Sequence, residues 1–254
     1  MTEPTAGKPG YANPIQAPGT EEDRWRDWDG LAALPEFPLP TAGRVVVVAA
    51  HPDDEVLGVG GIIALLTASG VAVTVVSVTE GERSHEASRT VTPERLAEIR
   101  AAELGGALGE LGPVEVVRLK VPDTEVAFRE DEVIRALATL LPGAALCLAP
   151  WIGDVHGDHE AAGRAALAAA READVPCRMY PVWMWHWARP DDSRVPWTSA
   201  ARVPLPEPVL GRKRAAVGHF TSQTAPLGPS PEDAPVLPPG ELAHHLRDLE
   251  VLFA

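Results

Sequence analysis

Basic residues are scarce. Lysine and arginine total 22 against 36 aspartates and glutamates, a formal net charge of -14 over 254 residues. A surface of that sign repels phosphate backbones and anionic headgroups, so no nucleic-acid or membrane partner is expected. Cysteine is nearly missing. Cys147 and Cys177 are the only two, in apolar surroundings far apart in the chain. They give neither a metal-type spacing nor a disulfide framework, which points to a reducing, cytoplasmic compartment. Long apolar runs are absent as well: no stretch approaches the roughly 18 uncharged apolar residues of a transmembrane helix. Met1 to Thr20 has no apolar segment behind a basic start, but Pro4, Pro9, Pro14 and Pro18 among small and polar residues, so it reads as a flexible or surface-draped arm rather than a targeting signal. No internal repeat is visible.

What is present suits one folded domain with appendages. Apolar residues make up 45% of the chain and charged residues 23%, enough for a sizeable core. Proline is 26 of 254, roughly twice the usual 5% or so, and it clusters where boundaries are expected. Residues 1–40 read as an arm and a strap bearing Trp25, Trp28 and Phe37. Regular structure begins at Arg44 with Val45, Val46, Val47 and Val48, the pattern of a strand buried on both faces. Strands and helices then alternate. Helices are expected at about 57–69, 93–111, 130–141 and 158–173, and strands at about 71–78, 114–119, 144–149 and 178–187. Pro93 suits a first helical turn, and Gly70 and Gly112 suit helix ends. This alternation implies right-handed crossovers and a mainly parallel sheet covered on both faces. Residues 189–208 read as an irregular excursion, 207–220 as helical, and 226–254 as a proline-rich connection with a final helix at 241–249.

In an open parallel sheet, ligands bind beyond the carboxyl ends of the strands. The first strand is followed by His51-Pro52-Asp53-Asp54-Glu55. The fourth is followed by Asp154, His156, Asp158 and His159. His51 and Asp54 lie three apart on a turn entering a helix, so both can face one ion. His159 can complete a two-histidine, one-carboxylate set with an open position, which suits catalytic zinc. A further acid can act as base and an unligated histidine can stabilise an oxyanion. Taken alone, Asp53 or Asp54 is equally an N-cap, and His156 with His159 a solvated helix start. Two such loops at two strand ends of one sheet favour a site. The residues by themselves leave Asp53 and Glu55 open as the base.

The run Ala50-His51-Pro52-Asp53-Asp54-Glu55 and the later His156-Gly157-Asp158-His159 resemble the two signatures of the LmbE-like, or PIG-L, zinc-dependent de-N-acetylases. Thr79-Glu80-Gly81-Glu82, Arg100 with Glu103, Pro122-Asp123, and Lys213 to Ala216 with His219, Ser222 and Gln223 resemble further family patterns, so the likeness covers about 44–223. The resemblance implies a Rossmann-like α/β fold over residues 41–225. It implies His51, Asp54 and His159 as metal ligands, Asp53 as general base, and His156 as the charged stabiliser of the tetrahedral intermediate, oriented by Asp158 from behind. The cofactor implied is Zn2+, with Fe2+ or another divalent ion as a substitute. The activity implied is hydrolytic removal of an N-acetyl group from an amino-sugar-bearing small molecule, by a chain free to form a homo-oligomer.

Further substrate contacts are expected from Arg83, Arg89, Asp123 and Gln223. Trp183, Trp185 and Trp187 alternate with a period of two. On a strand they share one face, as packing under the strap or as a wall for a sugar ring or apolar aglycone. Arg100 with Glu103 reads as a helix pair, and His85, His244 and His245 read as solvated. Gly58-Val59-Gly60-Gly61 lacks the glycine spacing of a dinucleotide site, which argues against an oxidoreductase. A ferrous facial-triad oxygenase and a non-catalytic carbohydrate-binding protein are the remaining alternatives.

Overall fold

The computed structural model describes residues 14–254. The arm expected at the N-terminus therefore lies outside the described residues as far as residue 13. Two short helices, α1 (Glu22–Arg26) and α2 (Gly30–Ala33), open the strap. The alternating part follows as β1 (Arg44–Ala49), α3 (Asp54–Ala68), β2 (Ala72–Ser77), α4 (Pro93–Leu111), β3 (Val114–Arg118), α5 (Glu130–Leu140), β4 (Leu146–Pro150), α6 (Gly157–Glu172) and β5 (Cys177–Tyr180). After it come α7 (Met184–Trp187), β6 (Ala200–Pro204), α8 (Glu207–Val217), α9 (Thr221–Thr224), α10 (Pro239–Ala243) and β7 (Leu249–Phe253).

The strands form one sheet in the order β3-β2-β1-β4-β5-β7-β6. The first five are parallel, and β7 runs antiparallel between β5 and β6. Each strand sorts its side chains by parity. Val45 and Val47 enter the layer built with α3, α4 and α8, whereas Val46 and Val48 enter the layer built with α5 and α6. Burying such a valine on each face contributes about 1.5–3 kcal/mol, which is why β1 tolerates no polar residue. On α6 the buried face is alanine-rich, Ala161 to Ala170, so this helix lies close to the sheet. A Cβ on Gly163 would collide with the Pro150 carbonyl at the end of β4. That close approach brings the start of α6 to the start of α3.

Helix α3 is kinked. Val59 leaves helical geometry at φ -141° and ψ 22°. The break is clamped by a buried ion pair in which Lys213 Nζ lies 2.6 Å from Glu250 Oε1. Lys213 also donates to the Leu57 carbonyl before the kink (2.8 Å), while Glu250 accepts from the Gly61 and Ile62 amides after it (2.7 and 2.8 Å). The glycines here serve packing. Gly58 has the Tyr180 ring where a Cβ would stand.

Three expectations fail. The strand expected to reach residue 187 ends at Tyr180, and 184–187 is a helical turn. The Asp154 carboxylate accepts from the Val182, Trp183 and Met184 amides (3.1, 2.9 and 2.8 Å), and so replaces a neighbouring strand. The C-terminal helix expected at 241–249 stops at Ala243, and 249–253 is a strand inside the sheet, with Val251, Phe253 and the half-buried Leu249 turned to the tryptophan cluster. The excursion at 189–208 contains β6, which pairs along its length with β7. The strap packs as expected. Trp25 is fully buried, donates from Nε1 to the Trp185 carbonyl (2.9 Å) and meets the Trp185 ring edge-on.

Candidate active site

The strand order reverses between β1 and β4, so the loops after these strands face each other at the switch point. Asp53 occupies the N-cap position of α3 and His156 that of α6, yet neither side chain caps its helix. Both side chains are thus free for other work. Asp53 has φ 150°, and Val155, just before His156, has φ 67°. Positive φ at a β-branched residue is strained, and such strain collects at functional sites. The N-termini of α3 and α6 both point at this place and favour negative charge there.

Three side chains converge. His51 Nδ1 lies 3.2 Å from His159 Nε2, Asp54 Oδ2 lies 3.4 Å from the first nitrogen, and Asp54 Oδ1 lies 3.3 Å from the second, so the carboxylate spans both rings with its two oxygens. Ligands about 2.0–2.1 Å from a tetrahedral zinc ion stand about 3.3 Å from one another, so the spacing fits one ion. Each ring is fixed from behind. His159 Nδ1 lies 2.7 Å from Asp154 Oδ2. His51 Nε2 lies 3.1 Å from Asp123 and 3.4 Å from Asp158. Carboxylates on the far nitrogen are the usual support of a ligating imidazole.

Two other donor groupings are close enough to hold an ion: His51 with His156 and His159, and His51 with Asp123 and Asp158. The second uses His51 Nε2, and its carboxylates accept backbone amides, as Asp54 does from the His51 amide (2.8 Å). Asp123 accepts from the Arg83 amide (2.9 Å), and Asp158 from the Thr124 and Val126 amides (2.7 and 3.2 Å). Electrostatics favour positive charge on both rings. Burial alone would depress both histidines, but Asp123, Asp158 and Asp54 raise His51, and Asp54 and Asp154 raise His159. Asp54 is held well below the usual carboxylate range by His159 and His51, against its burial.

Asp53 is different. Burial pushes it up to about 6, although Arg100 pulls the other way. The Arg100 guanidinium lies 3.0 Å from Asp53 Oδ2 and also donates to the Pro52 and Gly81 carbonyls. The expected Arg100–Glu103 pair is therefore not formed, since Glu103 accepts from Thr221 and Ser222. Glu55 is fully buried, pushed up to about 8 by burial, and absent from the cavity lining, whereas Asp53 lines it. His156 is also corrected in part. Burial, then His159 and His51, push it down to about 2, so its surroundings favour the neutral ring over a charged one. Its Nδ1 is buried without a partner, and Asp158 turns to His51 and the 124–126 backbone instead of orienting it.

The cavity above these groups has a volume of about 600 Å³. Arg83, Asp123, Gln223 and Trp183 line it, and Arg89, Trp185 and Trp187 do not. Arg89 is exposed on the surface. Trp185 is core beside Trp25, and Trp187 stacks on Trp151 under Arg194. The helical turn at 184–187 splits the tryptophans among these three places. His85, His244 and His245 are buried rather than solvated. His186, expected as a polar neighbour of the site or a satisfied core histidine, lines the cavity, whereas Glu241, Arg100 and Asp154 carry site roles that the sequence did not assign. The position of Asp154 five residues before His159 was the one signal available for it.

Residues 46–170 match the profile of the family described as PIG-L, GlcNAc-PI de-N-acetylase. Among curated relatives, the chain is 33% identical over 133 residues to a probable N-acetyl-alpha-D-glucosaminyl L-malate deacetylase 2 of Bacillus cereus, covering 50% of this chain and 60% of the relative. It is 30% identical over 219 residues to a 1D-myo-inositol 2-acetamido-2-deoxy-alpha-D-glucopyranoside deacetylase 1 of Catenulispora acidiphila, covering 72% of this chain and 65% of the relative. The chain thus spans less than two thirds of either relative. A solved structure of the conserved protein TT1542 from Thermus thermophilus superposes with a TM-score of 0.53 at 29% identity, over 70% of this chain and 79% of that one. The histidine and carboxylate cluster lies within the matched residues, and the chain carries a PIG-L (LmbE-like) domain.

Proposed function

We propose that this chain is a zinc-dependent hydrolase that removes the N-acetyl group from an amino-sugar-bearing small molecule. The observation that carries the reading is the triangle of His51, His159 and Asp54, with Asp53 beside it on the wall of one cavity. His51 Nδ1, His159 Nε2 and the Asp54 carboxylate would hold the ion, and Asp154 and Asp123 would keep the two rings turned toward it. A divalent ion there supplies Lewis acidity, polarising the acetamide carbonyl and easing deprotonation of water. Asp53 takes the proton of the attacking water as the new C–O bond forms. Arg100 holds that carboxylate in place and lowers its basicity to a range useful near neutral pH. His156 donates an N–H toward the oxygen of the tetrahedral carbon. The C–N bond then breaks, the proton passes from Asp53 to nitrogen, and acetate and a free amine leave.

A buried base beside the ligand triangle has no use in a carbohydrate-binding module, which favours hydrolysis. A cytoplasmic setting is proposed on the scarcity of cysteine, Cys147 and Cys177 being the only two in the sequence. No described helix is long and apolar enough to cross a membrane. The test is to incubate the zinc-loaded chain with simple N-acetylglucosaminides and assay acetate and primary amine together. Release of both in equal amounts, abolished in Asp53→Asn with the ion retained, is the expected result. Retained ion with no release from any N-acetyl sugar rejects the proposal.

A further inference from the structure

The cavity has two unlike sides. The reactive side comes from the strand ends of the matched domain. The facing wall comes from residues beyond 46–170: Val182 and Trp183 after β5, Val236 and Leu237 before α10, and the His186–Glu241 pair. This wall stands close to the chemistry. Asp154, which holds His159, also accepts from the Val182 and Trp183 amides, so one carboxylate separates the Trp183 backbone from a proposed ligand. The Trp183 indole is half-buried and packs with Val236 against the central core.

The polar groups of the wall pair through His186 and one oxygen of Glu241, whose Oε1 is buried without a partner. His186 Nδ1 lies 2.7 Å from Glu241 Oε2 and its Nε2 lies 2.9 Å from the Ala17 carbonyl. Both partners are acceptors, so both nitrogens donate and the ring is a cation that cancels Glu241. The lining guanidiniums are also engaged, Arg83 by Thr124 and Glu125, and Arg100 by Asp53. An apolar group would cover an indole and three aliphatic side chains. The volume of about 600 Å³ exceeds what one acetamido-sugar ring fills, and leaves room for a second moiety.

We infer that the substrate is an N-acetylamino-sugar glycoside with an uncharged apolar aglycone, alkyl or aryl, and that Trp183 with Val236 and Leu237 selects it. The inference rests on the deacetylation proposed above and adds the class of its substrate. It separates this chain from relatives whose names specify a malate or an inositol partner.

Two measurements decide it. In the first, methyl, butyl, hexyl and octyl β-glucosides, which carry no acetamide, are titrated calorimetrically into the zinc-loaded chain below their micelle concentrations. Kd is expected to fall about fourfold per methylene over the first several carbons. Trp183→Ala should raise the octyl Kd by about tenfold or more relative to methyl, and Trp183→Phe should restore most of it. Val236→Asp, which puts a charge on the same wall from a loop, gives the same comparison if Trp183→Ala does not fold. In the second, kcat/KM is compared for octyl, phenyl and malyl N-acetylglucosaminides, and the first two should exceed the third by about tenfold or more. Kd independent of chain length, a chain-length dependence that survives both substitutions, or a faster malyl glycoside overturns the inference. Chain-length-dependent binding without deacetylation of any glycoside rejects the reaction and keeps the wall. Deacetylation with flat binding rejects the wall and keeps the reaction.

Discussion

The Lys213–Glu250 clamp on helix α3 gives the most direct test of how this fold holds its site. Both side chains are buried, at 1% and 4% exposure, and together they serve the carbonyl before the Val59 kink and two amides after it. Glu250→Gln removes the negative charge and leaves the buried Lys213 ammonium without a counter-charge. Removing one partner of a buried pair in this way costs about 3–5 kcal/mol. For a domain of this size that lowers Tm by roughly 6–20 °C. Lys213→Met should cost less, about 1–3 kcal/mol, because Glu250 keeps its two backbone donors. The double variant Lys213→Met, Glu250→Gln has no stranded charge, and its loss should fall short of the summed single losses by about 1 kcal/mol or more. Urea unfolding of all four proteins supplies the cycle. Losses that add to within about 0.5 kcal/mol would mean that the two charges do not depend on each other, and the clamp would be refuted.

Other expectations follow from the site. The base must be ionised to work, so with Asp53 near pH 6 kcat/KM should rise with pH through an acid limb. Arg100→Gln removes the cation that lowers this carboxylate, so the limb should move up by about 1 unit or more; a pH–rate profile with an unmoved or lowered limb contradicts the assignment. His159→Ala should abolish binding of one divalent ion per chain, and Asp154→Asn should weaken it by about 10–100-fold, both read by metal analysis of folded protein. Trp185→Ala should cost about 3–5 kcal/mol of stability and Trp183→Ala clearly less, which thermal melts of the two variants compare directly.

The parallel half of the fold was legible because its signals are local. Val45 to Val48 sit under helices on both faces and read as a continuous apolar run. Helix α4 carries its own start signal, with Thr92 accepting from the Arg95 amide and Pro93 in the first turn. The site loops were legible because the metal-type residues are concentrated on two short runs, 51–55 and 154–159. Legibility failed where a remote group decided the outcome. The chain after Tyr180 reads as strand by alternation, yet Asp154, some thirty residues earlier in the chain, curls it into a helical turn. Arg100 looks paired with a neighbour on its helix, but its partner is Asp53, 47 positions away. Strand β7 is five residues long, too short for its alternation to stand out beside a helix that ends at Ala243.

The strap bears on how the sheet avoids its own kind. Strand β6 is the last in the order, and its outer edge would offer free amides and carbonyls to any passing strand. Residues 35–37 run along that edge. Arg202 donates its amide to the Pro35 carbonyl and accepts from the Phe37 amide, both at 2.9 Å, and its side chain reaches Glu36 and the Leu34 carbonyl. The same segment leads back to Trp25 on α1 and Trp28 between α1 and α2, both seated on the sheet's third cluster. A proteolytic cut between the strap and β1 would thus do more than loosen a surface element. It would uncover an edge and an indole-rich patch side by side, the combination from which intermolecular sheets grow.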